Sequence, residues 1–342
     1  MSGEIAEQPA AWSRLLAPGN EAAEAIAEAA AEIRRRRPRF ALLVARGTSD
    51  HAALYAKYLM EIRLGLSVGL ASPSTMTAYG TRPDLAGVLM IGISQSGASP
   101  DLVDSLAVGR AGGALTAAVT NSPGSALDQA AEYRIPVLAG PERSVAATKS
   151  YTAELLALYL LVAAVRGDSA APARRLPELA AEVLSAEPGV AEAATRYRYA
   201  DRMVVTGRGY SYPTAREAAL KLMETCALSA HAFSAADLLH GPFRMIDSLV
   251  PVFTVAPAGT AGEAMRPVHA ELARTGADVL TVGSPEFASA ATVGLALPAG
   301  APEELSPLLE ILPFQQLALH LALLRRLDPD RPPGLRKVTR TH

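Results

Sequence analysis

The chain has 342 residues, enough for roughly two domains, and half of them are apolar while 19% are charged, so it can bury sizeable cores and is not a disordered polymer. Lys plus Arg number 32 against 34 for Asp plus Glu, a net charge of −2, which excludes a global basic surplus for nucleic acid or acidic lipid. The single cysteine, Cys226, excludes a disulfide framework and a cysteine-cluster metal site, and no apolar run is expected to reach the length of a membrane span.

The first residues carry Glu where a secretory leader would carry basic side chains, which points to a cytoplasmic setting. Residues 1–38 read as an N-terminal helical segment. Ala-rich sequence with spaced Glu runs from Asn20 to Arg37, with Asn20 as the N-cap. The basic run 34–37 is read as a helix C-terminus favoured by the helix dipole, not as a nucleic-acid patch.

A repeating pattern then begins. The apolar run 40–45 predicts a buried strand; it ends in Arg-Gly-Thr-Ser (46–49), and a helix follows over 50–64. A second strand at 88–93 ends in Ser-Gln-Ser-Gly (94–97), and a third at 115–119 ends in a Thr-Asn-Ser-Pro-Gly turn (120–124). Buried strands alternating with helices predict a parallel, doubly wound α/β sheet.

The pattern returns in the second half. The strand at 202–206 leads to Gly-Arg-Gly (207–209) and a helix containing 218–224. Strands at 250–255 and 279–282 lead to Ala-Pro-Ala-Gly (256–259) and Gly-Ser-Pro-Glu (283–286). Gly47 to Gly97 is 50 positions, and so is Gly209 to Gly259, so one α/β unit is duplicated. The join falls around 167–190 and is expected to be helical. The predicted organisation is a first domain over 39–185, a second over 186–330 and a C-terminal tail over 331–342.

The copies differ chemically. Ser94, Gln95 and Ser96 in the first correspond to Ala256, Pro257 and Ala258 in the second. The 94–99 loop lies between a strand and a helix, where amides and the helix dipole favour an anion. The hydroxyls of Ser94, Ser96 and Ser99 can donate to phosphate, and Gly97 permits close backbone approach. The plain alternative is a βα turn with capping serines. A Walker lysine and the Gly-x-Gly-x-x-Gly spacing are both absent, which disfavours a nucleotide and favours a small phosphorylated metabolite. Thr48 and Ser49, after the first strand, can share that ligand.

Glu217, Lys221 and Glu224 are spaced i, i+4, i+7 on one helix face. Spacing alone favours a surface ladder of ion pairs; the otherwise apolar helix and its start beside a glycine-rich loop favour a site. His240 precedes Gly-Pro, a turn suited to presenting a side chain. His51, His231, His269 and His320 lack a metal-ligand spacing.

Six landmarks occur in order: Gly-Thr-Ser (47–49), Ser-Gln-Ser-Gly (94–97), Ser-Val-Ala-Ala-Thr-Lys (144–149), Ala-Leu-Lys-Leu-Met-Glu (219–224), His-Gly-Pro (240–242) and Lys-Val-Thr (337–339). Together they resemble the sugar isomerase (SIS) family in its double-SIS form. Within it they resemble the isomerase domain of glutamine–fructose-6-phosphate aminotransferase. Gly-Pro-Glu (140–142) and the short length resemble the stand-alone glucosamine-6-phosphate deaminase/isomerase branch.

The resemblance implies two tandem SIS domains, each a doubly wound, mainly parallel sheet flanked by helices, with the C-terminal tail over the site. It implies that Ser94, Gln95, Ser96 and Ser99 hold a sugar phosphate, with Ser49 nearby. Gly47, Thr48 and the backbone of Val145 and Ala146 would contact the sugar. Glu224 would move the proton between C1 and C2, His240 would assist ring opening from a neighbouring subunit of a homodimer, and Lys337 with Lys221 would act on the open-chain sugar. No metal or organic cofactor is implied. The synthase's glutaminase domain has no counterpart in this chain, so glutamine is not its expected nitrogen source. The synthase carries Glu and Lys at the positions of Asp237 and Leu239, and a sugar-contacting serine at that of Ala147.

The implied reaction is conversion of glucosamine 6-phosphate to fructose 6-phosphate and ammonia. One alternative is a lyase or dehydratase eliminating the C3 substituent of N-acetylglucosamine 6-phosphate through the same C2 deprotonation. Another is a non-catalytic sugar-phosphate sensor.

Overall fold

Among the described residues ten strands form two five-stranded, wholly parallel sheets. They are β1 Phe40–Val44, β2 Val68–Leu70, β3 Val88–Ser94, β4 Leu115–Thr120, β5 Tyr133–Pro136, β6 Arg202–Gly207, β7 Ser229–Ser234, β8 Val252–Ala256, β9 Val279–Gly283 and β10 Val293–Ala296. The first sheet runs β2-β1-β3-β4-β5 and the second β7-β6-β8-β9-β10. These are one order in two copies, so the duplication read from the glycine spacing is a duplication of topology. The computed structural model describes residues 1–338; Thr339 of the terminal landmark, and the expected tail from there on, lie outside the described residues.

The strands legible in the sequence are the central ones. β4 and β8 are buried at every position and β3 at all but its first, because sheets covered by helices on both faces need continuous apolar runs. The strands missed by the sequence reading are β2, β5, β7 and β10, the four sheet edges. They are short or polar, and β10 alternates half-buried with exposed residues, since an edge has one neighbour and partial solvent access.

The chain divides into two compact units. One holds β1–β5 and comprises residues 10–142, 149–174 and 336–338; the other holds β6–β10 and comprises 1–9, 143–148 and 175–335. The expected linking helices are present at Leu176–Ser185 and Glu187–Tyr197. In the β1–β5 unit, helix Glu21–Arg36 is capped by Asn20, whose side chain accepts from the Ala23 amide at 2.7 Å. The basic end of that helix pairs Arg35 and Arg36 with Glu32, and Arg36 with Glu132, which accounts for two of the run's four arginines by surface ion pairing.

Each unit has one long helix that is apolar nearly all round and therefore buried. In the β1–β5 unit this is Lys149–Arg166, packed on Glu21–Arg36 and Thr48–Leu64; in the β6–β10 unit it is Ser306–Leu324, packed on Tyr212–Cys226 and Glu187–Tyr197. The latter corrects one expectation: the stretch Glu303–Leu324 is long and apolar enough to cross a membrane. Its apolar window is 83% buried inside the protein, as befits a core helix.

Candidate active site

The predicted site residues fall into two sets, one in each unit, and each set is built by its own sheet. In the β1–β5 unit the 94–99 loop leaves the end of β3. Gly97 has φ +60°, and a Cβ there would lie 2.5 Å from the Ser125 Cβ, so only glycine fits. The Ser94 hydroxyl accepts from the Gly97 amide at 3.2 Å, and the Ser96 hydroxyl from the Ala98 amide at 3.3 Å. Both hydroxyls keep their protons for a further acceptor. Ser99 is the N-cap of helix Pro100–Ala111 yet makes no side-chain cap hydrogen bond, so the plain capping alternative fails for this serine.

The β4 turn braces the loop from behind. The Gln95 carbonyl accepts from the Asn121 amide at 3.2 Å and from the Ser122 hydroxyl at 3.2 Å. Gln95 also lines an open cleft of about 580 Å³ with Thr120, Asn121, Ser122, Arg14 and Glu142.

Gly47 turns the chain at φ +55°, and Thr48 opens the following helix, Thr48–Leu64. Ser49 is 7% exposed, and its hydroxyl donates to Glu154 Oε1 at 3.0 Å. The proton of the Ser49 hydroxyl is thus given to a buried carboxylate. Glu154 was missed by the sequence reading. Its signal was a lone acid inside the apolar helix Lys149–Arg166.

Lys337 is placed by the same unit. Its ammonium donates to Glu142 Oε2 at 2.8 Å. The Glu142 side chain is fully buried and also accepts from the Ser150 amide at 3.1 Å and hydroxyl at 2.7 Å. Glu142, quoted in the Gly-Pro-Glu landmark but given no role there, thus ties Lys337 to the wall of the cleft that Gln95 lines.

The β6–β10 unit holds Val145, Ala146, Lys221, Glu224 and His240. Ala146 is buried, and the Val145 amide donates to the Asp330 carbonyl at 3.1 Å. That amide is therefore committed within the protein and not presented as a sugar donor.

Helix Tyr212–Cys226 carries the charged triad. The Lys221 ammonium lies 3.3 Å from Glu217 Oε1 and 2.5 Å from Glu224 Oε2; the Glu217 and Lys221 side chains are wholly buried, whereas Glu224 is 23% exposed. The surface ladder that spacing alone favours is thus overturned for two of its three members. Burial works against the Lys221 charge, but the flanking carboxylates outweigh it and raise its pKa above the ordinary lysine value. Lys221 stays an ammonium, and the arrangement presents one carboxylate, that of Glu224, to solvent with its orientation set from below.

His240 ends helix Ala235–Leu239 and is exposed, its amide donating to the Asp237 carbonyl at 3.1 Å. Leu239, Met245 and Leu249 of the same segment are exposed apolar side chains. Cys226 is buried and its thiol pushed up to about 11 by that burial, so it is no nucleophile. Among the described residues no group of His, Cys, Asp and Glu could hold a metal ion.

The copies part at the loop after β8. There the Thr260 and Ala261 amides donate to the Glu303 carboxylate at 3.0 and 2.7 Å. The position equivalent to the phosphate-loop candidate thus binds an anion supplied by the protein. Among the described residues no carboxylate occupies the 94–99 loop.

The family model for the SIS domain matches residues 36–164 and 197–325. The chain is 36% identical over 343 residues to the isomerizing glutamine–fructose-6-phosphate aminotransferase of Methanothermobacter thermautotrophicus, covering 98% of this chain and 56% of that protein. It is 34% identical over 308 residues to the Thermotoga maritima enzyme of the same name, covering 86% and 50%. The chain thus spans about half the length of the curated relatives it matches. A solved structure from Silicibacter pomeroyi DSS-3, provisionally assigned as a phosphosugar isomerase, is 34% identical with TM-score 0.86, covering 96% of this chain and 98% of that one. The C-terminal domain of glucosamine-fructose-6-phosphate aminotransferase from Francisella tularensis shares the fold at 24% identity and TM-score 0.82, covering 96% and 97%.

Proposed function

The chain belongs to the SIS domain family, and on that premise we propose that it is a cytoplasmic phosphosugar isomerase/deaminase that converts glucosamine 6-phosphate to fructose 6-phosphate and ammonia. The observation that carries this reading is the pair of duplicated loops. The amides after β8 hold the Glu303 carboxylate, so this turn geometry receives anions, and the copy after β3 offers serine hydroxyls in place of a built-in acid. The amino-sugar class is supported by the relatives, whose names join fructose 6-phosphate to amino transfer and isomerisation.

In the proposed reaction the 94–99 loop holds the phosphate and His240 assists ring opening to the aldehyde. Glu224 takes the C2 proton, the electron pair forms an enolamine, and return of a proton to C1 leaves a C2 imine. Water adds to the imine and ammonia departs, giving the ketose. The carboxylate serves both carbons as general base and acid; Lys221 orients it, and the Lys337 ammonium stabilises developing oxyanion charge. No step needs a metal or organic cofactor. The exposed apolar residues beside His240 support a homodimer in which His240 serves the neighbouring subunit.

The test is phosphorus and proton NMR of the protein with glucosamine 6-phosphate and, separately, N-acetylglucosamine 6-phosphate. The proposal expects fructose 6-phosphate and ammonium from the first. A vinylic proton signal from the second, with the first unchanged, replaces the deaminase by the C3-eliminating lyase. Phosphate-shift perturbation without turnover of either leaves a sensor.

A further inference from the structure

We infer that Arg46 is an additional ligand for the substrate's phosphate monoester, held in place for that task by Asp101. The inference rests on the proposed phosphate role of the 94–99 loop and extends it to a residue outside that loop.

That loop has hydroxyls, an amide side chain and backbone donors, but no cation. A phosphate dianion is bound more tightly where a guanidinium adds a charge-assisted fork. In the order β2-β1-β3-β4-β5, β1 and β3 are neighbours from which the chain departs in opposite directions across the sheet, and ligands in such sheets bind at the carboxyl ends of the strands at this switch point. The β1–β3 register pairs Phe40 with Val88 through Val44 with Gly92. Carried two residues further it sets Arg46 level with Ser94, the first residue of the candidate loop.

The side chain is fixed as well as near. Arg46 Nε donates to Asp101 Oδ2 at 2.9 Å, and Asp101, in the first turn of the helix after the loop, is 2% exposed. The arginine side chain is 48% exposed. Among the described residues its terminal nitrogens have no hydrogen-bond partner, so the face that suits a phosphate fork is turned outward from a buried anchor.

The second copy supplies the contrast. Arg208 holds the equivalent position, and Glu263 stands where Asp101 does. Glu263 pairs with Arg266 at 2.6 Å, and among the described residues Arg208 forms no ion pair. An anchored arginine accompanies the hydroxyl-rich loop and is missing beside the loop that carries its own carboxylate.

The experiment is a titration of inorganic phosphate, followed by phosphorus NMR, into the wild type and the Arg46→Gln, Arg46→Lys, Asp101→Asn and Ser96→Ala proteins, with thermal unfolding of each as a folding control. Arg46→Gln is expected to raise the phosphate Kd about tenfold or more, in line with loss of one charge-assisted contact. Arg46→Lys is expected to recover part of that loss, and Asp101→Asn to fall between Arg46→Gln and wild type. Should Arg46→Gln fail to fold, Arg46→Lys and Asp101→Asn carry the test: a Kd equal to wild type in both overturns the inference. Wild-type binding that Ser96→Ala weakens and Arg46→Gln leaves unchanged overturns the Arg46 role alone. Wild type that perturbs no phosphate signal overturns the loop reading and this inference together.

Discussion

The turns after β3 and β8 sit at the same place in two copies of one topology, and they meet different partners. After β3 the amides of Gly97 and Ala98 are met by the hydroxyls of Ser94 and Ser96. After β8 the amides of Thr260 and Ala261 are met by the Glu303 carboxylate. Elsewhere the copies agree closely. Ser49 donates to Glu154 at 3.0 Å in the β1–β5 unit, and Ser211 donates to Glu310 at 2.8 Å in the β6–β10 unit. In both, a serine just past the first strand reaches a lone acid in the long apolar helix. The contact that fastens helix to loop was kept twice, whereas the turn amides meet serine hydroxyls in one copy and a carboxylate in the other, and on the proposed function the first is the ligand's. The second copy carries charge of another kind, with Lys221 buried between Glu217 and Glu224.

This division of labour is open to direct attack. The largest effect is expected from Glu224→Gln, which should lower turnover by roughly 10²–10⁴-fold, the range for loss of a general base, while phosphate binding at the 94–99 loop persists. Steady-state kinetics beside a phosphate titration checks it; a parallel loss of binding would erase the distinction between the copies.

Lys221→Met removes the ammonium that lies 3.3 Å from the buried Glu217 carboxylate, and breaking such a buried pair should cost roughly 3–5 kcal/mol of stability. Denaturant unfolding measures this, and Glu217→Leu added to Lys221→Met should restore much of it. A surface ladder would instead lose at most about 1 kcal/mol.

Glu310 gives the β6–β10 unit a pH dependence. Burial pushes its carboxyl from an ordinary 4.5 up to about 7, against the lowering effect of the hydroxyls of Ser306, Ser211 and Thr214 that donate to it. Between those values the folded chain holds a proton the unfolded chain has released, so stability falls as pH rises, by on the order of 3 kcal/mol in all. Glu310→Gln should flatten the stability profile across this window, as thermal unfolding at stepped pH would reveal.

The two loop glycines sharpen the comparison at smaller cost. Gly97→Ala forces a Cβ toward Ser125 at φ +60°, so phosphate binding should fall along with about 1 kcal/mol or more of stability. Gly259→Ala meets the Glu303 carboxylate at 2.6 Å and should lower stability while phosphate binding stays intact. Smallest is Glu303→Ala, which strips the Thr260 and Ala261 amides of their acceptor for about 1 kcal/mol, read by the same unfolding curves.

The apolar runs at β1, β3, β4, β6, β8 and β9 were legible because a strand covered on both faces must be apolar along its length. So was the duplication, because both copies need a flexible turn at the same two strand ends. The chemical asymmetry of Ser94–Ser96 against Ala256–Ala258 was legible too, since it is a matter of residue identity at matched positions. Hidden from the sequence were the edge strands, whose one-sided exposure leaves no apolar signature, and every contact made across long separations. Nothing local shows that Glu303 caps the β8 turn, that Glu142 holds Lys337, or that Glu154 takes the Ser49 hydroxyl. The i, i+4, i+7 spacing places Glu217, Lys221 and Glu224 on one face, but whether that face meets water or the helix Ser306–Leu324 is decided by packing. Local pattern determines which elements form and which side chains share a face; burial and long-range partners, which set charge and orientation, exist only once the chain has folded.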